Sequence, residues 1–263
     1  MATIASSAEH DAAFPVIRRI GIADLKDALA KGVEDFRVMP SLAVFLCLIY
    51  PLVGIVLACF VFGYDVLPIL YPLVTGFALI GPFAAVGLYE LSRRRELGLD
   101  SSWQHAFDVF RSPAKWSIFA LGFLLMLIFV AWLETAQWIY AHTIGDAVPA
   151  SIGALATQVF TTPAGWMLIV WGNLTGFVFA LVTLTLSVVS FPMLVDRNPG
   201  ATVAVLTSMR AVAANPVTMA MWGLIVAAAL VAGSLPFLLG LAVVMPILGH
   251  ATWHLYRKVV LSP

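Results

Sequence analysis

Any chemistry in this chain would have to come from very few side chains. It has five histidines, His10, His105, His142, His250 and His254. His250 and His254 are four apart and share one helical face, a spacing at which two imidazoles can hold one metal ion. No cysteine or carboxylate stands beside them in sequence, and a histidine at an interface is more often a satisfied polar anchor, so no metal is assigned. Cys47 and Cys59, the two cysteines, lie in one apolar run; they offer neither a disulfide framework nor a four-ligand zinc site and read as packing residues. The other candidates are polar residues within apolar runs, where an ionisable group costs about 2.5–3.5 kcal/mol on insertion scales. Glu90 sits beside Arg93 and Arg94 and reads as their ion-pair partner. Glu134, Gln137, Asn173 and Thr175 read either as a polar path or as contacts between helices, the second being the commoner use of such residues. No Ser-His-Asp set, glycine-rich phosphate loop or catalytic carboxylate pair can be assembled, so no catalytic residue and no cofactor is expected.

The elements that must carry these residues follow from composition. With 62% hydrophobic and 11% charged residues over 263 positions and a mean hydropathy of +0.99, the chain is far more apolar than a soluble domain, where about 25% of residues are charged. It is expected to be an all-α polytopic membrane protein. Zero formal net charge argues against a nucleic-acid partner; the lipid bilayer is the expected surrounding. Residues 1–17 lack the apolar run of a signal peptide and read as a flexible cytoplasmic tail, followed by a single membrane domain over 18–263. Six spans are expected, near 41–63, 66–91, 116–140, 165–195, 217–233 and 235–252, several bent by proline. The third closes in an aromatic girdle of Trp132, Trp138 and Tyr140, and a short helix is expected over 151–160 in the loop that follows.

Three further segments have helical amphipathic spacing and read as interfacial helices on the cytoplasmic face. The first has Leu25, Ala28, Leu29, Gly32, Val33 and Phe36 on its apolar side, with Asp35 among the residues of other faces. The second carries Trp103, Ala106, Phe107 and Phe110, and the third Val205, Leu206, Met209 and Val212. Charge places them: all 14 lysines and arginines fall in 1–40, 92–115, 196–216 and 253–263, and none in the opposite loops, which puts both termini in the cytoplasm. Arg93, Arg94 and Arg95 are the strongest of these topology anchors. The surface helix, a proline (Pro40, Pro113, Pro216) and a membrane hairpin recur three times, and the hairpin exits share the spacings Pro82, Tyr89, Arg93 and Pro246, Trp253, Arg257, with Pro192 to Arg197 a shorter version. This predicts a threefold helix-hairpin repeat.

IADLKDALAKGVEDFRVMPS, GPFAAVGLYELSRRRELG and MPILGHATWHLYRKVV, over roughly residues 18–260, resemble a bacterial family of integral membrane proteins of unknown function (DUF2189-like). Some of its members are labelled cytochrome c oxidase subunits; the resemblance implies no activity and supplies no site residues. An oxidase core needs several histidines deep in the membrane on opposing helices, and none of the five qualifies. The expected function is therefore a non-enzymatic inner-membrane protein, an accessory, assembly or scaffold partner of another inner-membrane complex, respiratory if the label has substance. The alternative is a small-molecule transporter or channel.

Overall fold

The computed structural model describes residues 15–39, 54, 70–145, 149, 151–235 and 240–261. The expected first span and its cysteines, the start of the tail and the tip of the last hairpin lie outside these residues. The described chain is helical throughout, without a strand. It comprises α1 (Ile22–Val38), α2 (Leu70–Gly76), a 3₁₀ turn (Phe77–Ile80), α3 (Gly81–Ala84), α4 (Val86–Glu96) and a 3₁₀ helix (Trp103–Arg111). There follow α5 (Lys115–Thr143), α6 (Ile152–Thr161), α7 (Pro163–Ser187), α8 (Ser190–Arg197), α9 (Ala201–Ala214), α10 (Pro216–Ser234) and α11 (Leu241–Val259). Among the described residues four stretches are long and apolar enough to cross a membrane: Tyr71–Glu96, Lys115–Thr143, Pro163–Arg197 and Pro216–Ser234.

Proline explains where these stretches deviate. The Pro82 ring conflicts with the carbonyl of residue 78 and removes an amide donor, so the helix tightens to 3₁₀ just upstream, at Phe77–Ile80. Pro192 does the same to residue 188, and α7 breaks into α8 at Val188–Val189. There the break is tied to α9: Ser208 Oγ accepts from the Val189 amide at 3.2 Å and Ser190 Oγ donates to the Ala204 carbonyl at 3.2 Å. The turn before α9 needs Gly200, whose φ is +90°. Ser151 caps α6 by accepting from the Ala154 amide at 3.1 Å, so the short helix expected in the loop is present.

The chain divides into two compact units, residues 1–49, 82–121 and 184–263 in one and 50–81 and 122–183 in the other. The second is built around Trp132. Its indole packs on Gly76, where a Cβ would come within 2.5 Å of the ring, and on Gly176 at 3.2 Å; its Nε1 donates to the Pro72 carbonyl at 2.9 Å. Leu79, Phe129 and Ala136 complete this core. The aromatic girdle therefore needs correcting: Trp132 and Tyr140 are buried, and of the three only Trp138 is exposed.

In the first unit α4, α8 and α11 pack on one another, and each also takes one surface segment: the 3₁₀ helix on α4, α9 on α8, and α1 on α11. The last helix thus closes back onto the first. An antiparallel bridge between Ile17 and Val260 secures the closure, while Asn215, between α9 and α10, holds the lead-in to α1: its Oδ1 accepts from the Ile20 amide at 2.8 Å and its Nδ2 donates to the Arg18 carbonyl at 3.1 Å. The faces differ from the expected stripes. Leu25, Ala28 and Gly32 of α1 are buried in protein, with Asp35 beside them. The other two segments bury small residues, Ala106 with Val109 on one and Ala204, Thr207, Ser208 and Ala211 on the other. Their large apolar residues Trp103, Phe107, Phe110, Leu206 and Met209 stay exposed. Close backbone approach needs small side chains, so these decide which face turns inward.

Candidate functional site

Asp35 is the most deeply buried carboxylate described, with 2% of its side chain exposed. Three elements converge on it. Its own helix crosses α11 at Gly32, where a Cβ would lie 2.7 Å from the Ala251 amide nitrogen and the Ile247 carbonyl. Glycine is required there, and one helical turn on it sets Asp35 against the same neighbour. On the other side of α11, Gly249 takes the Leu88 side chain of α4, with a virtual Cβ 2.6 Å from Leu88 Cδ1. These two approaches bring Ser92 and Arg95 of α4 and His250 and His254 of α11 to one carboxylate.

Ser92 Oγ donates to Asp35 Oδ2 at 2.6 Å, His254 Nε2 lies 2.9 Å from the same oxygen, and Arg95 pairs with Oδ1. Arg95 also reaches Glu34 Oε1 at 2.7 Å. His250, fully buried, places Nδ1 2.7 Å from Ser92 Oγ; with the serine proton given to the carboxylate, Nδ1 carries the proton and donates. Burial alone would raise the Asp35 carboxyl, but the hydrogen bonds from His254 and Ser92, with the charge of the two imidazoles, hold it at about 2.

The cluster continues outward as an ion network. Glu96 accepts from Trp253 Nε1 and Arg257 Nε, both at 3.0 Å, and Asp196 accepts from the Tyr256 hydroxyl at 2.6 Å. Lys258 pairs with Asp27 at 2.7 Å. A cavity of about 540 Å³ opens over Asp35, Ser92, Arg95, His254 and Arg257.

The arrangement places limits on its chemistry. In a nucleophilic triad the histidine stands between serine and carboxylate. Here the serine stands between them, its proton committed to Asp35, and it is buried. Among the described residues no group of three or more His, Cys, Asp or Glu has the arrangement of a metal site, and the Asp35 charge is already met by Arg95. What the cluster does is tie α1, α4 and α11 together.

No local motif in the sequence marks this site. His250 and His254 have no carboxylate beside them in the chain, and the structure supplies one from a helix more than 200 residues away. Asp35, expected on another face of α1, instead lies in one line with Leu25, Ala28 and Gly32 at helical spacing. A charge continuing a stripe of small residues was the missed signal. The three anchor arginines diverge: Arg93 forms a bidentate pair with Glu90 at 2.8 and 2.9 Å, as expected, Arg94 reaches Asp108 at 3.5 Å, and Arg95 turns to Asp35.

The other candidates lie in the second unit. Glu134 and Gln137 are exposed on α5 and make no hydrogen bond or ion pair among the described residues. Asn173 is exposed on α7; Nδ2 donates to the Ile169 carbonyl at 2.7 Å, and the Tyr71 hydroxyl donates to Oδ1 at 3.4 Å. Thr175 is half-buried. No hydrogen bond joins Glu134 to Asn173.

No curated protein and no solved structure matches the chain at a significant level. Residues 70–196 match the model of a family described as a predicted integral membrane protein (DUF2189), which carries no oxidase label, and with its long apolar helices the chain is an integral membrane protein that resembles that family over this stretch.

Proposed function

We propose that this is a non-enzymatic accessory, assembly or scaffold protein of a bacterial inner membrane, crossing six times with both termini in the cytoplasm and working beside another membrane complex. The observation that carries the reading is that the most deeply buried carboxylate among the described residues is spent on fastening helices: Asp35 is neutralised from two helices and its serine is tied to it. The fold-level part is supported by the ionic network at the ends of α4, α8 and α11, since three hairpin exits on one side of a membrane would bring their charges together. The pairing of each exit with one surface segment supports the threefold repeat, with α1 and α11 closing the set.

A small transporter or channel is the second reading, favoured by Glu134, an exposed carboxylate on α5 with no ion-pair partner among the described residues. Reconstitution separates the two. Sealed vesicles containing the scaffold should pass protons and small ions no faster than empty ones, and native gels of mildly solubilised membranes should show one larger complex that survives Glu134→Gln and Asn173→Leu. A flux that disappears with Glu134→Gln would replace the scaffold reading by transport.

A further inference from the structure

The largest feature left unused lies on the outer face of the 3₁₀ helix. In a 3₁₀ helix residues three apart eclipse each other, and Phe107 and Phe110 accordingly stack at 6.3 Å and 30°. Trp103 meets Phe107 edge-on at 6.3 Å, Phe110 stacks on Phe119 of α5 at 5.8 Å and 24°, and Trp116 meets Phe119 at 6.3 Å. Five rings form one continuous ladder, and all five are exposed. A ladder this apolar and uncovered on an integral membrane protein lies at the level of lipid, where aromatic rings concentrate.

The ladder is edged with cations. Arg111 is 88% exposed, with Asp108 Oδ1 at a loose 3.8 Å, and Lys115 Nζ lies over the Trp116 ring at 5.5 Å from its centroid. Asp108 offers little competition, since His105 at 2.6 Å and Arg94 at 3.5 Å already engage it. A groove of about 530 Å³ runs between Trp103, Gln104, Phe107, Phe110 and Arg111. Three aromatic rings line its apolar side, and a guanidinium and an amide supply its polar side.

We propose that this groove is a binding site for a phospholipid with an anionic headgroup. The headgroup phosphate is held by Arg111 and Lys115, with Gln104 as a further donor, and an acyl chain lies along Phe107, Phe110 and Phe119. Phosphate favours these donors because a guanidinium offers it paired N–H groups, and a rim whose two cations outnumber its one carboxylate, Asp108, selects an anionic over a zwitterionic headgroup. The inference stands whether the protein is a scaffold or a transporter.

The test uses the full chain, delipidated in a neutral detergent, with thermal unfolding and native mass spectrometry as readouts. Phosphatidylglycerol is added in one arm, phosphatidylcholine of the same chains in the second and inorganic phosphate in the third. Phosphatidylglycerol should raise the melting temperature and remain bound, while the other two do neither. Arg111→Gln and Lys115→Gln should each weaken that binding roughly fivefold, and Phe110→Ser should weaken it with the headgroup contacts intact. Arg111 is almost wholly exposed, so its variant keeps the fold and remains readable if the others unfold. An equal shift with phosphatidylcholine, a full shift with inorganic phosphate alone, or phosphatidylglycerol binding undiminished in Arg111→Gln would overturn the proposal.

Discussion

Two surface segments of the first unit begin as near equivalents and end as opposites. In each a carboxylate stands five residues before a proline, Asp35 before Pro40 and Asp108 before Pro113, and each segment packs on one helix, α1 on α11 and the 3₁₀ helix on α4. Yet 2% of the Asp35 side chain is exposed and 33% of the Asp108 side chain. The difference lies in the crossing. On α1 the glycine belongs to the surface segment, and a Cβ at Gly32 would strike α11 backbone at 2.7 Å. At the other crossing the glycine belongs to the membrane helix, and a Cβ at Gly87 would meet Ala106 at 3.2 Å. The tighter crossing draws the carboxylate inside, where a second helix reaches it. The looser one leaves Asp108 at the rim and turns the large aromatic residues outward. One segment is thereby an internal clasp with Lys26, Glu34 and Arg37 on its outer side, and the other a face for lipid.

If that contrast is correct, removing Asp35 has the largest effect. Asp35→Ala should destabilise the protein by about 3 kcal/mol in chaotrope or thermal unfolding in mild detergent, the low end of the usual cost of breaking a buried pair, because Arg95 keeps Glu34. A change below measurement would mean that α1 is not held by its carboxylate.

Acid tests the same contact without mutation. The folded carboxyl titrates at about 2 against an ordinary 3.8, so its stabilisation is complete above pH 4 and is lost as pH falls from 4 toward 2. The amount is about 2 kcal/mol. Stability that falls equally over this window in Asp35→Ala would assign the acid sensitivity elsewhere.

The crossing itself is tested by glycine. Gly32→Ala should cost about 1–2 kcal/mol, since overpacking against backbone outweighs the gain in helix propensity. Gly87→Ala faces a contact looser by half an ångström, and the two terms should nearly cancel. Equal losses in both variants, read from unfolding midpoints, would remove the geometric explanation of the contrast.

How much of this the sequence disclosed follows from range. Hydropathy and proline spacing are local, and they located the long apolar helices, the bending of the stretch that holds Pro82 and the short helix of the loop, but not the break at Val188–Val189, which falls inside the span expected over 165–195. Glu90 with Arg93 was legible because the pair lies three apart on one helix. The Asp35 cluster joins residues 35, 92, 250 and 254, and nothing local announces such a meeting. The facing of the amphipathic segments was misread for a related reason. Periodicity identifies an apolar side, but whether that side meets protein or lipid depends on the partner helix. On α9 the small residues Ala204, Ser208 and Ala211 won the inward position from Leu206 and Met209. Trp132 reads as an interfacial aromatic until Gly76 and Gly176 are seen to make room for it.

The smallest expected effect is the most discriminating, because it separates the two carboxylates directly. Asp108 sits in an ordinary polar setting: the hydrogen bond from His105 lowers its carboxyl despite the opposing pull of burial, and the charges of His105, Arg94 and Arg111 act in the same direction. Solvent reaches it, and exposed pairs of this kind contribute little because water and salt screen them. Asp108→Asn should therefore leave the unfolding midpoint where it is, and added salt should not separate the variant from the parent. It should, however, release Arg111 from its loose acidic neighbour and leave the rim of the aromatic groove more positive, so that phosphatidylglycerol binds at least as tightly as before. A loss of stability matching that of Asp35→Ala would show that Asp108 is a second clasp, and the two segments would then differ in their aromatic faces alone.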